Sequence, residues 1–314
     1  MDKKAQIALG TWSWGSGLFG GDAVFGNKLD TSELSEVVET ALANGLDLFD
    51  TAYAYGKGDS ERILGELLKE YERSQFMISD KFTPGLQDDT KAQPLLEMLA
   101  GSLKRLGTDY IDLYWIHNAA DVERFTPLLI AAVKSGKVKR IGVSNHSLAQ
   151  VKRVQEILKP AGIKLSAVQN HFSLLYRNSI DDGLLAYCQA NGIEFFSYMI
   201  LEQGALSGKY DKDHLLPADS NRGKTYNPLL PKLNELLTEL RNLARTYEMS
   251  VAQIVTAWAI SKGTTPIIGV TATKQVEEAA KASTLKLTPA EIKILEELAK
   301  KADVDTSGGW EGQA

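Results

Sequence analysis

The chain reads as one α/β domain spanning residues 1–314 and closed into a (β/α)8 barrel of the TIM type. Three observations predict this. Eight short apolar runs of strand character are each followed by sequence of helical period. The 314 residues suit one barrel with additions, since such barrels use roughly 250 residues. Asp50, Tyr55, Lys81 and His117 stand at or just past the ends of successive runs, the rim on which barrel enzymes place their chemistry. An open, doubly wound sheet is the competing arrangement.

The elements follow in order. The first strand is Ile7-Ala-Leu-Gly-Thr11; Thr31-Ser32 opens a helix from Glu33 to Ala43, which Asn44-Gly45 closes. Gly45-Leu-Asp-Leu-Phe49 forms the second strand, Ser60 to Lys69 a helix, and Phe76-Met-Ile-Ser79 the third strand. A helix from Lys91 to Leu106 leads to the strand Tyr110 to Ile116, and a helix from Val122 to Lys134 to the strand Val138 to Val143. Helix Leu148 to Leu158 precedes strand Leu165 to Gln169, and helix Asp181 to Ala190 precedes strand Ile193 to Ser197. Thr265-Pro-Ile-Ile268 is the eighth strand. Two additions break the alternation. The long loop after strand 7, from Gly208 to Pro231, is rich in Gly, Pro, Asp and Asn and reads as a lid. An extra C-terminal helix, Pro289 to Ala302, is followed by a tail carrying Trp310.

Composition narrows the function. Lys and Arg total 35 against 40 Asp and Glu, so a net charge of −5 offers no footprint for nucleic acid. An anion site must then be local. The lone cysteine, Cys188, lies in helical sequence without a partner and reads as a buried structural thiol. The first residues, Met1 to Gln6, lack the apolar segment of a signal peptide, and no run is long enough to span a membrane. The expectation is a cytoplasmic protein, monomeric by default, without a metal and with a small-molecule substrate.

Gly15-Ser-Gly17-Leu-Phe-Gly20 matches the spacing of a dinucleotide-binding fingerprint. A functional copy opens a helix directly after a strand. Here the helical pattern is expected to begin only near Ser32, so these glycines read as a flexible loop over the strand ends.

Several motifs together carry a family resemblance. Asp50-Thr-Ala-Tyr-Ala-Tyr-Gly56, Lys81 after an apolar strand, His117 closing Leu113-Tyr-Trp-Ile-His, Gly142-Val-Ser-Asn145 and Val168-Gln-Asn170 occur in the order found in the aldo-keto reductases. The chain resembles that family from Leu9-Gly-Thr-Trp12 to Pro266-Ile-Ile-Gly269. The resemblance implies a barrel that binds NADP(H), with NAD(H) possible, across its strand ends and reduces aldehydes or ketones to alcohols. Potassium-channel beta subunits share the barrel and the four residues, so an NADP(H)-sensing regulatory subunit is the alternative. A lyase using Lys81 as a Schiff-base amine is a third reading.

The chemistry supports the first reading. Hydride transfer to a carbonyl builds charge on oxygen, which a placed acid and nearby donors relieve. Tyr55 is the expected acid; an adjacent Lys81 ammonium should lower its pKa from about 10 toward the working pH. Asp50 would hold Lys81, and a neutral His117 would orient the carbonyl.

Residue-by-residue matching implies the cofactor contacts. Ser144, Asn145 and Gln169 fall at positions that hold the nicotinamide carboxamide, and Tyr198 at the aromatic that stacks on its ring. Leu201, Gly204, Leu206, Gly208 and Lys209 match the pyrophosphate stretch, and Thr11, Trp12 and Asp50 are further expected cofactor contacts. At the adenine end, Gly269, Thr271, Gln275 and Glu278 are expected contacts. Gln275 and Ala279 stand where many relatives carry Arg and Asn, so the preference for NADPH is weakened. Trp12, Tyr53 and Trp310 are the expected aromatic walls of the substrate pocket, with Trp14 and Trp115 as further candidates.

Overall fold

The computed structural model describes residues 6–26, 29 and 31–308. The strands are β1 (Ala8–Gly10), β2 (Leu48–Asp50), β3 (Met77–Phe82), β4 (Ile111–Ile116), β5 (Val138–Ser144), β6 (Ala167–His171), β7 (Glu194–Tyr198) and β8 (Thr265–Gly269). Each pairs in parallel with the next, and β8 closes on β1, which gives the predicted barrel and excludes the open sheet.

Helices α1 (Gly21–Phe25), α2 (Thr31–Ala43), α3 (Asp59–Leu68), α4 (Pro94–Leu106), α5 (Val122–Lys134) and α6 (Leu148–Leu158) alternate with the first six strands. They are followed by α7 (Asn178–Asp181), α8 (Leu184–Ala190), α9 (Asn221–Tyr226), α10 (Asn234–Thr246), α11 (Val251–Ser261), α12 (Thr273–Ala282) and α13 (Pro289–Ala302). Local chemistry sets many of these starts. Asp121 accepts a bond from Arg124 N at 3.0 Å, and reciprocal capping pairs Ser147/Gln150, Ser250/Gln253 and Thr288/Glu291 open α6, α11 and α13.

Three local expectations change. The helix expected from Lys91 begins at Pro94, because proline fits the first helical turn and disfavours a helical residue before it. The helix expected over Asp181 to Ala190 is two helices, broken at Gly183 with φ of 79°. A helix does follow Gly20: α1 opens at Gly21, far earlier than Ser32, although five residues give it little dipole and it does not cross between strands of an open sheet.

Side chains alternate across each strand. One set fills the barrel interior, where Ala8, Leu48, Leu113, Trp115, Ala167 and Phe196 pack together. The other set packs under the helices and forms the larger core. Trp115 is fully buried inside the barrel, and a Cβ at Gly142 would lie 2.2 Å from its ring. Glycine at 142 is therefore what lets that indole lie across β5.

The loops at the strand ends are tied to one another. Ser16 donates through both its backbone N–H and its hydroxyl to Asp59 Oδ2, each at 2.9 Å, which fastens the loop after β1 to the start of α3. Gly56 has φ of 65°, and a Cβ there would meet Ser16 O at 2.5 Å, so the two backbones pass too closely for a side chain. Helix α1 packs against α9, which joins the first loop to the long loop after β7. That long loop is not structureless: it contains α9, whose Tyr226 is 2% exposed.

Candidate active site

Strand register assembles the site. Asp50 pairs with Ser79 across β2 and β3, Lys81 with Trp115 across β3 and β4, and Ser144 with Gln169 across β5 and β6. Asp50 and Lys81 point into the barrel and are 2% and 0% exposed, so neither charge is solvated. A buried charge requires a partner and further hydrogen bonds. Lys81 Nζ makes a short ion pair with Asp50 Oδ2 and donates to Thr51 O at 2.8 Å. Asp50 Oδ1 accepts from Ser79 Oγ at 2.6 Å and from Gln169 Nε2 at 3.2 Å. Beneath them Trp115 Nε1 donates to Ser79 Oγ at 2.6 Å.

Tyr55 comes from the loop after β2, in a single 3-10 turn over Tyr55–Gly58. Its hydroxyl lies 3.3 Å from Lys81 Nζ. Its ring stacks on Trp12 at 5.6 Å and meets the His117 ring edge-on at 5.8 Å. His117 follows β4, with Nδ1 3.0 Å from the Thr83 hydroxyl. The structure thus brings Asp50, Tyr55, Lys81 and His117 into one connected group.

The electrostatics differ from the expectation in one respect. Burial raises the Tyr55 pKa and outweighs the opposing Lys81 charge, with Asp50 adding to the rise, so the net shift is upward from 10.0. The phenol therefore keeps its proton at neutral pH. Burial opposes the Lys81 ammonium, but Asp50 and Tyr55 more than compensate and its pKa is also raised. Burial, reinforced by the Lys81 charge, holds the His117 imidazole well below its ordinary 6.5, which leaves it neutral as expected. A buried, paired and protonated Lys81 is a poor amine nucleophile, which removes the basis of the Schiff-base reading.

The expected cofactor positions divide by what their polar atoms already do. Ser144 is 1% exposed and its hydroxyl has no hydrogen-bond partner, a buried polar atom left ready for a ligand. Asn145, at φ of 59°, donates to His117 O at 3.0 Å and accepts from Tyr198 O–H at 2.5 Å, so it ties those two residues together. Gln169 is held by Asp50, and Thr11 is fully buried with its hydroxyl directed at Ser60 Oγ (2.8 Å) and Asp50 O (3.2 Å). The side chain of Thr11 is thereby committed to packing.

A cavity of about 500 Å³ opens beside Gly208 and Lys209, lined also by Ser207, Arg241, Arg245 and Val251. Arg241 and Arg245, on α10, were missed because they lie in an ordinary amphipathic helix. Gly208 has φ of 78°, and a Cβ there would strike Val251 at 2.6 Å. At the adenine end, Gln275 Oε1 accepts from Thr271 N at 2.6 Å and Ala272 N at 3.1 Å and so caps the start of α12. Glu278 lies 4.0 Å from Lys274. Gly269 is open, with nothing within 4 Å of a Cβ built on it.

The aromatic walls are only partly assembled. Trp12 flanks Tyr55 and donates from Nε1 to Phe19 O at 2.9 Å, while Phe25 closes on it edge-on at 5.1 Å. Tyr53 is occupied elsewhere, with the Arg105 guanidinium 4.9 Å over its ring, and it makes no ring contact with Tyr55 or His117 among the described residues. A loop has no side-chain period, so nearness to Tyr55 in sequence does not bring the two rings together. Trp14 is buried and bonded to Val270 O at 2.7 Å, and Trp115 is the floor. Trp310 lies outside the described residues. Ser79 and Thr83 were also missed, although both lie two residues from Lys81, Ser79 on the same face of β3 and Thr83 just past its end.

With fold and site in view, comparison with known proteins places the chain. The sequence model of the Aldo/keto reductase family matches residues 6–300, and the protein belongs to that family of oxidoreductases. The chain is 31% identical to the chloroplastic pyridoxal reductase of Arabidopsis thaliana over 315 residues, covering 95% of this chain and 84% of that protein. It is 28% identical to the NADH-specific methylglyoxal reductase of Escherichia coli, over 94% of this chain and 95% of that one. Among solved structures, the glycerol dehydrogenase of Gluconobacter oxydans has the same fold, with a TM-score of 0.82 at 24% identity over 98% of this chain and 96% of that one.

Proposed function

We propose that this protein reduces aldehydes to alcohols with a nicotinamide dinucleotide as hydride source and Tyr55 as proton donor. The observation that carries this reading is the Tyr55 hydroxyl, protonated and 3.3 Å from a buried Lys81 ammonium, beside a neutral His117. Two relatives are named for reductions of pyridoxal, an aldehyde, and methylglyoxal, which carries an aldehyde beside a ketone, so aldehydes are the first class to test.

The residues present fit the cofactor. The unpartnered Ser144 hydroxyl suits a carboxamide, the Tyr198 ring offers a stacking surface, and Lys209 lines a cavity suited to phosphates. When bound, the cofactor supplies the hydride. The chain's own groups then manage charge and proton. His117, neutral, can donate to the carbonyl oxygen and hold it near Tyr55. As negative charge grows on that oxygen, the Tyr55 proton moves to it, and the resulting phenolate is stabilised by Lys81. Asp50 fixes Lys81 in place and is itself fixed by Ser79 and Gln169. The cofactor preference is open to both forms: NADPH would meet Lys209 and Lys274, but the neutral Gln275 gives a 2′-phosphate no ion pair.

The test is to mix the protein with NADPH or NADH and a panel of aldehydes and follow cofactor absorbance at 340 nm. Consumption that drops about a hundredfold or more in Tyr55→Phe is expected, in line with the usual worth of a positioned acid. Turnover unchanged in Tyr55→Phe would overturn the assignment, and tight cofactor binding without turnover would favour a sensing subunit.

A further inference from the structure

A fully buried carboxylate with four hydrogen-bond donors lies outside the group around Tyr55. Glu202 is 0% exposed. Its Oε1 accepts from His171 Nε2 at 3.0 Å, from Thr306 Oγ1 at 3.2 Å and, in a short bond, from Ser173 Oγ. Its Oε2 accepts from the Tyr226 hydroxyl at 2.7 Å. These donors come from the end of β6, the loop after β6, helix α9 and the tail after α13. One side chain therefore gathers donors from three separate parts of the chain: the end of β6 with the loop that follows it, helix α9, and the tail after α13.

The backbone around Glu202 is strained. Met199, Glu202 and Gln203 have φ of 62°, 46° and 51°, and Asn145, bonded to Tyr198, has 59°. Three of the eight non-glycine residues with positive φ among the described residues thus follow Tyr198 within five positions, and a fourth, Asn145, is bonded to it. Each such residue is held in a sparsely populated conformation, which persists only where the surroundings over-determine it. The bonds to Glu202 supply that constraint. Ring stacking continues from it: His171 stacks with Tyr176, at 4.1 Å and 3°, and with Tyr198, at 5.7 Å and 22°. Ser173, bonded to Glu202, also accepts from Tyr176 N at 3.0 Å, so both ends of the His171 ring's environment trace back to one carboxylate.

We propose that Glu202 is a positioning residue for the cofactor: it holds the strained 199–203 segment down and, through His171, sets the plane of the Tyr198 ring on which the nicotinamide stacks. This rests on the reading of Tyr198 given under the proposed function. The carboxylate takes no part in proton or hydride transfer. Its effect is on how tightly, and in what pose, the cofactor is held before the reaction.

Two mild variants test it. Tyr226→Phe removes one donor without changing shape, and Glu202→Gln keeps an acceptor for His171, Ser173 and Thr306 while losing the charge. Cofactor affinity is read from the quenching of protein fluorescence by NADPH and NADH, and release from stopped-flow chase. Each variant is expected to weaken binding roughly tenfold, the worth of one charge-assisted hydrogen bond. KM for the cofactor should rise with the dissociation constant while KM for the aldehyde stays put. A merely structural role would lower the melting temperature and leave affinity and release unchanged, which would overturn the proposal. Failure of the parent protein to bind either cofactor would instead overturn the functional reading on which the proposal stands, and both would fall together.

Discussion

The Thr83 hydroxyl, one residue past the strand that supplies the site's cation, sits 3.0 Å from Nδ1 of His117 and shares one proton with that ring nitrogen. If Thr83 donates to Nδ1, the proton of the neutral ring resides on Nε2, where it can be given in a hydrogen bond to a carbonyl oxygen. Thr83→Val is expected to lower kcat/KM about fivefold, the worth of roughly 1 kcal/mol for one neutral hydrogen bond. Thr83→Ser should restore it; equal rates in all three proteins would show that the tautomer is set elsewhere.

The pH profile follows from two opposed shifts. Tyr55 must be protonated to act, and its pKa is raised above 10.0, so reduction should persist into the alkaline range and decline only beyond that value. His117 stays neutral because its pKa is held well below 6.5, so no step in rate is expected between about pH 5 and 8, where a free imidazole titrates. The check is kcat against pH at saturating aldehyde and cofactor. A descending limb centred near neutrality would contradict this account of Tyr55.

Breaking the buried ion pair should cost stability as well as activity. Lys81→Met leaves Asp50 charged, 2% exposed and without its cation, and is expected to destabilise by about 3–5 kcal/mol in urea denaturation. The double variant Asp50→Asn with Lys81→Met should recover much of that loss without recovering turnover. Additive losses in the double variant would mean that the pair is not coupled.

A second buried carboxylate, used by no step proposed above, gives a stability prediction. Asp80 points away from the barrel interior, is 0% exposed, and neither oxygen has a well-formed hydrogen bond. Burial and then the nearby Glu61 charge raise its pKa well above 3.8. Since the folded state holds this proton more tightly than the unfolded one, the associated stability is fully present below the unfolded pKa and is lost as pH rises through the folded value. Asp80→Asn should therefore stabilise by about 1–3 kcal/mol at pH 8 and by little at pH 4. Denaturation midpoints at the two pH values decide it.

Gln275 makes the cofactor preference testable. Its carbonyl now caps α12, and an arginine there would exchange a helix cap for a cation. Gln275→Arg is expected to tighten NADPH relative to NADH about tenfold or more, from the roughly 1.5–3 kcal/mol of a charge-assisted bond to phosphate. A slight loss of melting temperature should accompany it. Fluorescence titration of both cofactors reads the ratio, and an unchanged ratio would place the 2′-phosphate away from this position.

How much of this was legible in the sequence depended on periodicity. Strands and helices repeat at fixed intervals, so the alternation that closes the barrel, and the placing of Asp50, Lys81 and His117 at strand ends, could be read before any coordinates. Ser79 and Thr83 stand two residues either side of Lys81, the first on its face of β3 and the second just past the strand's end, but only barrel closure shows that this face is the inner one. Loops have no such rule: Tyr53 stands two residues from Tyr55 and points to Arg105 instead. The sign of the Tyr55 shift was also hidden, because it depends on how deeply the phenol is desolvated against how near the ammonium lies. Glu202 was hidden for a related reason, since its donors lie up to 104 residues away in sequence.

Trp115, seated across Gly142 directly under the Ser79 and Asp50 pair, has a consequence for adaptability. The reacting layer rests on an indole that cannot sink and whose berth cannot accept even a methyl group from β5. Deepening the site to admit bulkier molecules would require rebuilding the barrel's interior and its ion pair together. The exposed residues Leu18 and Phe19 of the loop after β1 carry no such load, so changes of substrate range in laboratory evolution should accumulate there and leave the inward faces of the strands untouched.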